Sequence, residues 1–194
     1  GAADAILASM YLNAGVWTKQ TGVSATSYNT CVGVQVSGGV DACQAAIAAA
    51  DRIINSGRYS LAANWRSNFT ADNQASPENI MVVKFLNKPD VGLNFIMRAL
   101  HYNQLTNATP WNGFATLAQT YNAFDANDQR RQMWLAGPQN NVETGLPVND
   151  RSGNRLVFTT TIADVTAATE GEGPRFYKWP ADPNRPEGQL NGND

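Results

Sequence analysis

The sequence predicts a mainly α fold with a minor α+β component: an antiparallel helix pair, additional helices, short strands and long irregular loops. Apolar residues recur at helical spacing over residues 3–14 and 40–55, which predicts two amphipathic helices. The second stretch is crowded with alanine, and small side chains let a partner helix approach closely. Segments rich in Gly, Ser, Thr and Asn lie between and after the two stretches and predict loops.

The first two helices are predicted by clear local signals. In the first, Leu7 and Tyr11 fall on one face, and Gly15 ends the helix. In the second, Asp41 lies in the first turn, where a negative charge is favourable to the helix dipole, and Gly57 stops the helix.

The two helices are expected to bury apolar side chains where they meet. We predict that these side chains are Leu7, Tyr11, Ile47 and Ile54. With its long intervening loop, the pair resembles one tetratricopeptide unit. Because a single unit cannot bury its own hydrophobic face, we expect much of the other face to be left for further helices.

Beyond residue 61 the pattern changes to shorter elements. It predicts strands at 80–86 and 156–162, helices at 114–124 and 129–135, an ambiguous segment at 95–102, and an irregular tail from residue 171. We therefore divide the chain into a helix pair at 2–61 and a loop-rich elaboration at 62–194. Residues 1–194 form either a single domain or an internal portion of a larger one.

Composition and motifs exclude several classes of function. Charged residues make up 15% of the chain, and 14 Lys and Arg against 16 Asp and Glu give a net charge of −2. Nucleic acid binding needs clustered cations, and no basic block exists. No zinc spacing, phosphate-binding loop or nucleophile elbow occurs. We therefore expect no catalytic residue, no metal site and no cofactor.

Two cysteines, Cys31 and Cys43, lie twelve residues apart. One interpretation is that they are two small buried side chains. The other is a disulfide that ties the Gly-, Ser- and Thr-rich loop to the helix that follows, which requires an oxidising compartment. Their spacing fits no zinc signature.

Aromatic residues inside polar loops are the best candidates for ligand binding. Trp111 lies between Pro110 and Asn112, with Tyr102 and Arg98 shortly before them. An aromatic face beside amide and guanidinium donors suits a sugar, because the ring packs on C–H groups while the donors bind hydroxyls. We predict that Trp111, Asn112, Tyr102 and Arg98 bind ligand.

Structural alternatives exist for these and neighbouring residues. Trp111 is also suited to filling a core beneath its loop, and Arg98 is also suited to pairing with Asp125 or Asp128. These two aspartates are expected to cap a helix. His101, the only histidine, is expected to be a structural imidazole.

Six stretches of the chain, taken in order, resemble the SusD/RagB family of outer-membrane nutrient-binding lipoproteins. They are 8–16 (ASMYLNAGV), 52–61 (RIINSGRYSL), 76–80 (SPENI), 97–104 (MRALHYNQ), 110–114 (PWNGF) and 124–131 (FDANDQRR). The match is collinear over almost the whole chain. The loop that holds the two cysteines resembles an insertion.

The resemblance implies a fold, a location and a function. The fold would be part of a SusD-like superhelix of helix pairs, with loops that carry a glycan site. The location would be the cell surface, at the outer membrane, through a lipid anchor. The function would be binding of oligosaccharides or polysaccharides for delivery to a TonB-dependent, SusC-like transporter, the expected protein partner.

The chain departs from the family in extent. The family's lipid-anchoring cysteine, its first helices and its closing helical repeats have no counterpart here, so we interpret the chain as an internal portion of a longer protein. The alternative function is a protein-interaction scaffold of the transport complex, which acts through the helix pair and has no ligand site of its own.

Overall fold

The structure is a computed structural model that describes residues 1–18, 30–83, 95–106 and 108–182. The chain divides into two compact units. The first unit comprises Gly1–Leu61 and Pro77–Val83, and the second unit comprises Ala62–Ser76 and Lys84–Asp194. None of the helices among the described residues is both long enough and apolar enough to cross a membrane.

The first unit is a helix pair with a small hairpin before its second long helix. Its elements are α1 (Ala2–Leu12), α2 (Ala14–Trp17), β1 (Gln35–Val36), β2 (Val40–Asp41) and α3 (Ala42–Ile54). β1 and β2 are antiparallel, with Val36 opposite Val40. The turn between them uses Gly38 and Gly39, whose φ angles of 81° and 71° favour glycine.

Asp41 sets the start of α3. It precedes the helix in an extended conformation, and its Oδ1 accepts a hydrogen bond from the backbone N–H of Cys43 at 2.9 Å. Its Oδ2 accepts from the backbone N–H of Gly33 at 2.6 Å. Asp41 is therefore the N-cap of α3 rather than a residue of its first turn, and it also holds the preceding loop.

The two long helices are antiparallel. Asp4 in the first turn of α1 accepts a 2.7 Å hydrogen bond from Arg52 in the last turn of α3. At the other end of the pair, Ala14 and Ala42 are buried in one cluster.

The prediction that Ile47 and Ile54 are buried is wrong. Ile47 is 54% exposed and Ile54 is 71% exposed, whereas Leu7 and Tyr11 are half-buried. The buried residues of α3 are three alanines, Ala42, Ala46 and Ala49. These alanines recur at helical spacing and let α1 approach closely, so the isoleucines fall on other faces of the helix.

A pair of substitutions tests this arrangement. Ile47→Ala should change the free energy of unfolding by less than about 1 kcal/mol, because the side chain is exposed. Ala46→Leu should cost about 1–3 kcal/mol, because it inserts volume into a close helix contact. Urea denaturation followed by circular dichroism measures both. A larger loss from Ile47→Ala than from Ala46→Leu would contradict the alanine contact.

Cys31 and Cys43 form a disulfide in the structure, with Cα atoms 5.1 Å apart. This is the bonded alternative of the two interpretations. The bridge joins the loop to the first turn of α3 and lies beside Ala14, Val34 and Val36.

Reduction of this disulfide should destabilise the first unit. Closing a loop of this length contributes about 3 kcal/mol by chain entropy, so a reductant should lower the melting temperature of the protein. A thiol assay on oxidised, denatured protein should find no free cysteine. Two titratable thiols in that sample would show that the residues are unbonded.

The second unit consists of short elements. They are 3₁₀-helices at Trp65–Phe69, Asn73–Ala75 and Gln129–Met133, helices α4 (Phe95–Ala99) and α5 (Ala118–Asn122), and strands β3 (Trp134–Leu135), β4 (Gly137–Pro138), β5 (Val157–Phe158) and β6 (Arg175–Phe176). β3 pairs with β6 and β4 pairs with β5, both antiparallel.

The prediction of a mainly α fold is therefore wrong. Among the described residues only α1 and α3 are longer than five residues, and the second unit is held by strand pairs, bridges and turns. The antiparallel pair of α1 and α3 exists, but the rest of the described chain is a mixed, loop-rich structure.

Tertiary pairing explains why two predicted helices are shorter or different. The predicted helix at 114–124 is reduced to α5, because Ala115 bridges Arg175 and the N–H of Thr116 donates to Pro174. The predicted helix at 129–135 is a 3₁₀-helix capped by Asp128, whose side chain accepts from the backbone N–H of Arg130. Its last two predicted residues form β3 instead.

The predicted strands and tail also differ from the structure. The strand at 156–162 is limited to β5, and the tail expected to be irregular contributes β6. Of the predicted strand at 80–86, residues 80–83 are not a strand, and the remainder lies outside the described residues. The ambiguous segment at 95–102 begins with α4.

The core of the second unit has an aliphatic part and an aromatic part. The aliphatic part is Ile96, Met97, Leu100 and Leu105. The aromatic part is a chain of ring contacts through Trp65, Phe69, Trp179, Phe95, Phe176, Trp134 and Phe124. Trp65 and Trp134 are half-buried within it.

Candidate functional site

The loop at 110–114 is fixed to the carboxyl end of α4 by its backbone. The backbone N–H groups of Gly113 and Phe114 donate to the backbone carbonyl oxygen of Arg98 at 2.6 and 2.9 Å. The backbone N–H of Trp111 donates to the carbonyl oxygen of Met97 at 2.6 Å. The last carbonyls of a helix lack partners within the helix, and the loop supplies donors for them. The backbone of Trp111 is therefore held rigidly.

Trp111 presents its ring to solvent on this rigid loop. The side chain is 46% exposed, so Trp111 does not fill a core beneath the loop. The guanidinium carbon of Arg98 lies 5.7 Å from the ring centroid of Trp111 and 5.8 Å from that of Phe114. Together Arg98, Trp111 and Phe114 form an exposed cluster, which we call the Trp111 surface.

Asn112 stands in the left-handed region, with φ at 52°, and its side chain is engaged by the protein. The amide nitrogen donates to the carbonyl oxygen of Glu170 at 3.1 Å, and the amide oxygen accepts from Nε of Arg175 at 3.1 Å. Asn112 therefore fastens the loop to the segment at 170–175, which leaves it less free to bind ligand than predicted.

The guanidinium of Arg175 lies at the centre of the hydrogen-bond network that holds this contact. It is 3% exposed, and its guanidinium donates to the carbonyl oxygens of Glu170, Glu172 and Gly173 at 2.7–3.0 Å. Every one of these acceptors is neutral. Burial lowers the pKa of Arg175 to about 10, which leaves the guanidinium charged at neutral pH.

Tyr102 lies beside a charged network. The guanidinium carbon of Arg151 is 4.5 Å from the Tyr102 ring centroid, and Nε of Arg151 donates to Glu170 at 2.7 Å. His101 is fully buried, with its Nε2 3.5 Å from the same carboxylate. Its Nδ1 accepts from the backbone N–H of Asn103 at 3.2 Å, and its Nε2 makes no hydrogen bond within the described residues.

Burial and ion pairing shift the pKa values of Glu170, Arg151 and His101 in opposite directions. Burial alone would raise the pKa of Glu170, but the hydrogen bonds and charge of Arg151, together with His101, hold it below its ordinary value. The same hydrogen bond raises the pKa of Arg151. Burial lowers the pKa of His101 despite the nearby Glu170 carboxylate, so the imidazole is neutral at pH 7.

Stability should therefore fall as the pH drops below about 6.5, the ordinary pKa of His101. The pKa of His101 is lower in the folded protein than in the unfolded chain. At pH values between these two pKa values, the unfolded chain therefore binds more protons. Melting temperatures between pH 7.5 and 5.5 measure the effect. Since His101 is the only histidine, His101→Gln should flatten this dependence. If the melting temperature of His101→Gln depends on pH as steeply as that of the wild type, His101 does not cause the dependence.

A concavity of about 280 Å³ brings two of the predicted site residues together. Tyr102 and Asn112 line it, with Arg151, Glu170, Glu172 and Arg175. We call it the Tyr102 cavity. Trp111 and Arg98 do not line it, but Trp111 is adjacent to Asn112 in the chain.

No ion pair joins Arg98 to Asp125 or Asp128 in the described structure, where Asp128 pairs with Arg130 at 2.6 Å.

Sequence reasoning missed Arg151, Glu170 and Arg175. Each lies at least forty-nine positions after Tyr102 in the chain, and no motif marks them. Arg175 does begin the aromatic segment at 175–179, but the periodicity of that segment gives no sign that its arginine is buried.

Comparisons of the chain with protein-family models, curated proteins and solved structures found no match. Within the described residues, no group of three or more His, Cys, Asp and Glu side chains is arranged to hold a metal ion.

Proposed function

We propose that this protein binds oligosaccharides or polysaccharides without catalysis, through the Trp111 surface and the adjoining Tyr102 cavity. The observation that carries the proposal is an exposed indole on a loop whose backbone is fixed by hydrogen bonds to α4. A rigid aromatic ring loses little conformational entropy on binding.

The chemistry of the two areas suits a polyhydroxylated ligand. The exposed parts of the Trp111 and Phe114 rings can pack against C–H groups of a sugar ring, and Arg98 beside them supplies N–H donors to hydroxyls. In the cavity, the Tyr102 hydroxyl and the exposed Arg151 are further polar groups. Asn112 contributes by fixing the loop, so three of the four predicted residues are proposed as direct contacts.

The resemblance to the SusD/RagB family supports a wider proposal. In this wider proposal, the protein passes the glycan to a TonB-dependent, SusC-like transporter and acts at the surface of the outer membrane through a lipid anchor. The disulfide accords with a compartment outside the cytoplasm.

A glycan array tests the binding proposal, followed by calorimetry with the best oligosaccharide. We expect saturable binding with a dissociation constant in the micromolar to millimolar range, about −4 to −8 kcal/mol. Absence of binding to every neutral and acidic glycan on the array would overturn the proposal.

One observation favours the alternative function, a scaffold that engages only protein. Large apolar side chains on the helices of the first unit are exposed, including Ile6, Met10, Trp17, Ile47 and Ile54. Exposed apolar patches mark protein interfaces. Under this alternative, Ile54→Lys should prevent co-purification with the SusC-like transporter while the glycan array stays negative.

A further inference from the structure

A second cavity lies in the second unit, between α5 and the strand β3. Its volume is about 410 Å³, and it is lined by Tyr121, Ala126, Asn127, Asp128, Gln129, Arg131, Gln132 and Trp134. It shares no lining residue with the Tyr102 cavity. Pockets of this size hold small-molecule ligands.

Two buried donors of this cavity lack acceptors. Nε of Arg131 and Nε1 of Trp134 are both covered from solvent and have no hydrogen-bond partner in the described part of the chain. Buried N–H groups are almost always paired in folded proteins. Two unpaired donors on residues that line one cavity indicate a ligand that supplies acceptor oxygens.

The charge of Arg131 is also uncompensated. No ion pair to Arg131 occurs among residues 1–18, 30–83, 95–106 and 108–182, and the adjacent Asp128 is engaged by Arg130. The guanidinium carbon of Arg131 lies 4.4 Å from the Tyr121 ring centroid. A guanidinium stacked on a ring keeps its N–H edge available for an oxyanion, which it binds in a bidentate manner.

We propose that this second cavity binds a small polar molecule that carries an oxyanion, either a carboxylate or a phosphate group. Arg131 binds the anionic group and Trp134 donates its indole N–H. Gln129 and Gln132 also line the cavity, and their amides bind neutral oxygens of the ligand. This inference is independent of the Trp111 surface.

Nitrogen-15 NMR of the protein tests the proposal with three probes that share one sugar ring. They are glucuronate, glucose 6-phosphate and glucose, compared at constant ionic strength. The indole N–H resonance of Trp134, assigned from Trp134→Phe, should shift saturably with at least one of the two anions. The dissociation constant of glucose, measured from the same resonance, should be at least about tenfold higher. The anion that binds more tightly identifies the group that the site prefers.

Three arginine variants complete the test. Arg131→Met should weaken binding of the anion at least about tenfold, and Arg131→Lys should weaken it less because it keeps the charge but loses the planar fork. Arg58→Met removes an exposed arginine of the first unit and should leave the response unchanged. The remaining resonances report whether each variant is folded. An equal response to glucose, wild-type binding by folded Arg131→Met, or no shift up to about 50 mM anion would overturn the proposal.

Discussion

Replacing Trp111 by alanine should lower the affinity for glycan at least about tenfold, equivalent to about 1.4 kcal/mol of binding free energy. The indole is the largest exposed ring of the proposed surface, and aromatic anchors commonly dominate binding. The melting temperature should change by no more than about 2 °C, because the substitution removes an exposed side chain and leaves the backbone hydrogen bonds of the loop in place. Calorimetry and a thermal melt measure the two quantities.

Trp17→Ala is the matched control for this experiment. Trp17 is 69% exposed and belongs to the first unit, outside the proposed surface. Its replacement should leave glycan affinity unchanged. A variant at Trp111 that loses binding and stability together would show that the indole is a packing residue, and equal losses of affinity in both variants would contradict the proposed location.

Arg175→Met should destabilise the protein by about 2–4 kcal/mol. It leaves three carbonyl oxygens and the amide oxygen of Asn112 without their donor, and each buried acceptor left unpaired costs about 1–3 kcal/mol. Removal of a buried charge offsets part of that loss. Arg175→Lys should not restore stability, because a lysine ammonium cannot reproduce the planar arrangement of these four acceptors.

The matched control for Arg175 is Arg98→Met. Arg98 is an exposed arginine that also lies near aromatic rings, and its replacement should cost less than about 1 kcal/mol. Urea denaturation measures both variants. Equal and small losses would show that the bonds around Arg175 contribute little to the fold.

Local sequence signals predict the first unit better than the second. The periodicity and the alanines predict α1, α3 and their antiparallel contact, and the cysteine spacing leaves open the disulfide that the structure contains. The same periodicity misplaces Ile47 and Ile54, because it cannot distinguish between a contact made by large side chains and one made by alanines. Which face of α3 meets α1 is decided by packing.

In the second unit, pairing between distant segments overrides local preference. Residues 114–117 and 134–135 carry helical spacing, but both are drawn into contact with the segment at 174–176. Partners separated by forty residues or more are not visible in a single sequence. For the same reason, the exposed Trp111 could be proposed from its loop, whereas the network of Arg151, Glu170 and Arg175 could not.

NMR with the best oligosaccharide from the array shows whether glycan contacts the Trp111 surface. The protein has five tryptophans, so five indole N–H resonances report on separate locations, and Trp111→Phe assigns the relevant one. We predict that the oligosaccharide shifts the indole resonance of Trp111 and the backbone amides of residues 111–114, while the indole of Trp17 stays unchanged. Saturable binding that leaves the Trp111 resonances unmoved would contradict the proposed location of the glycan site.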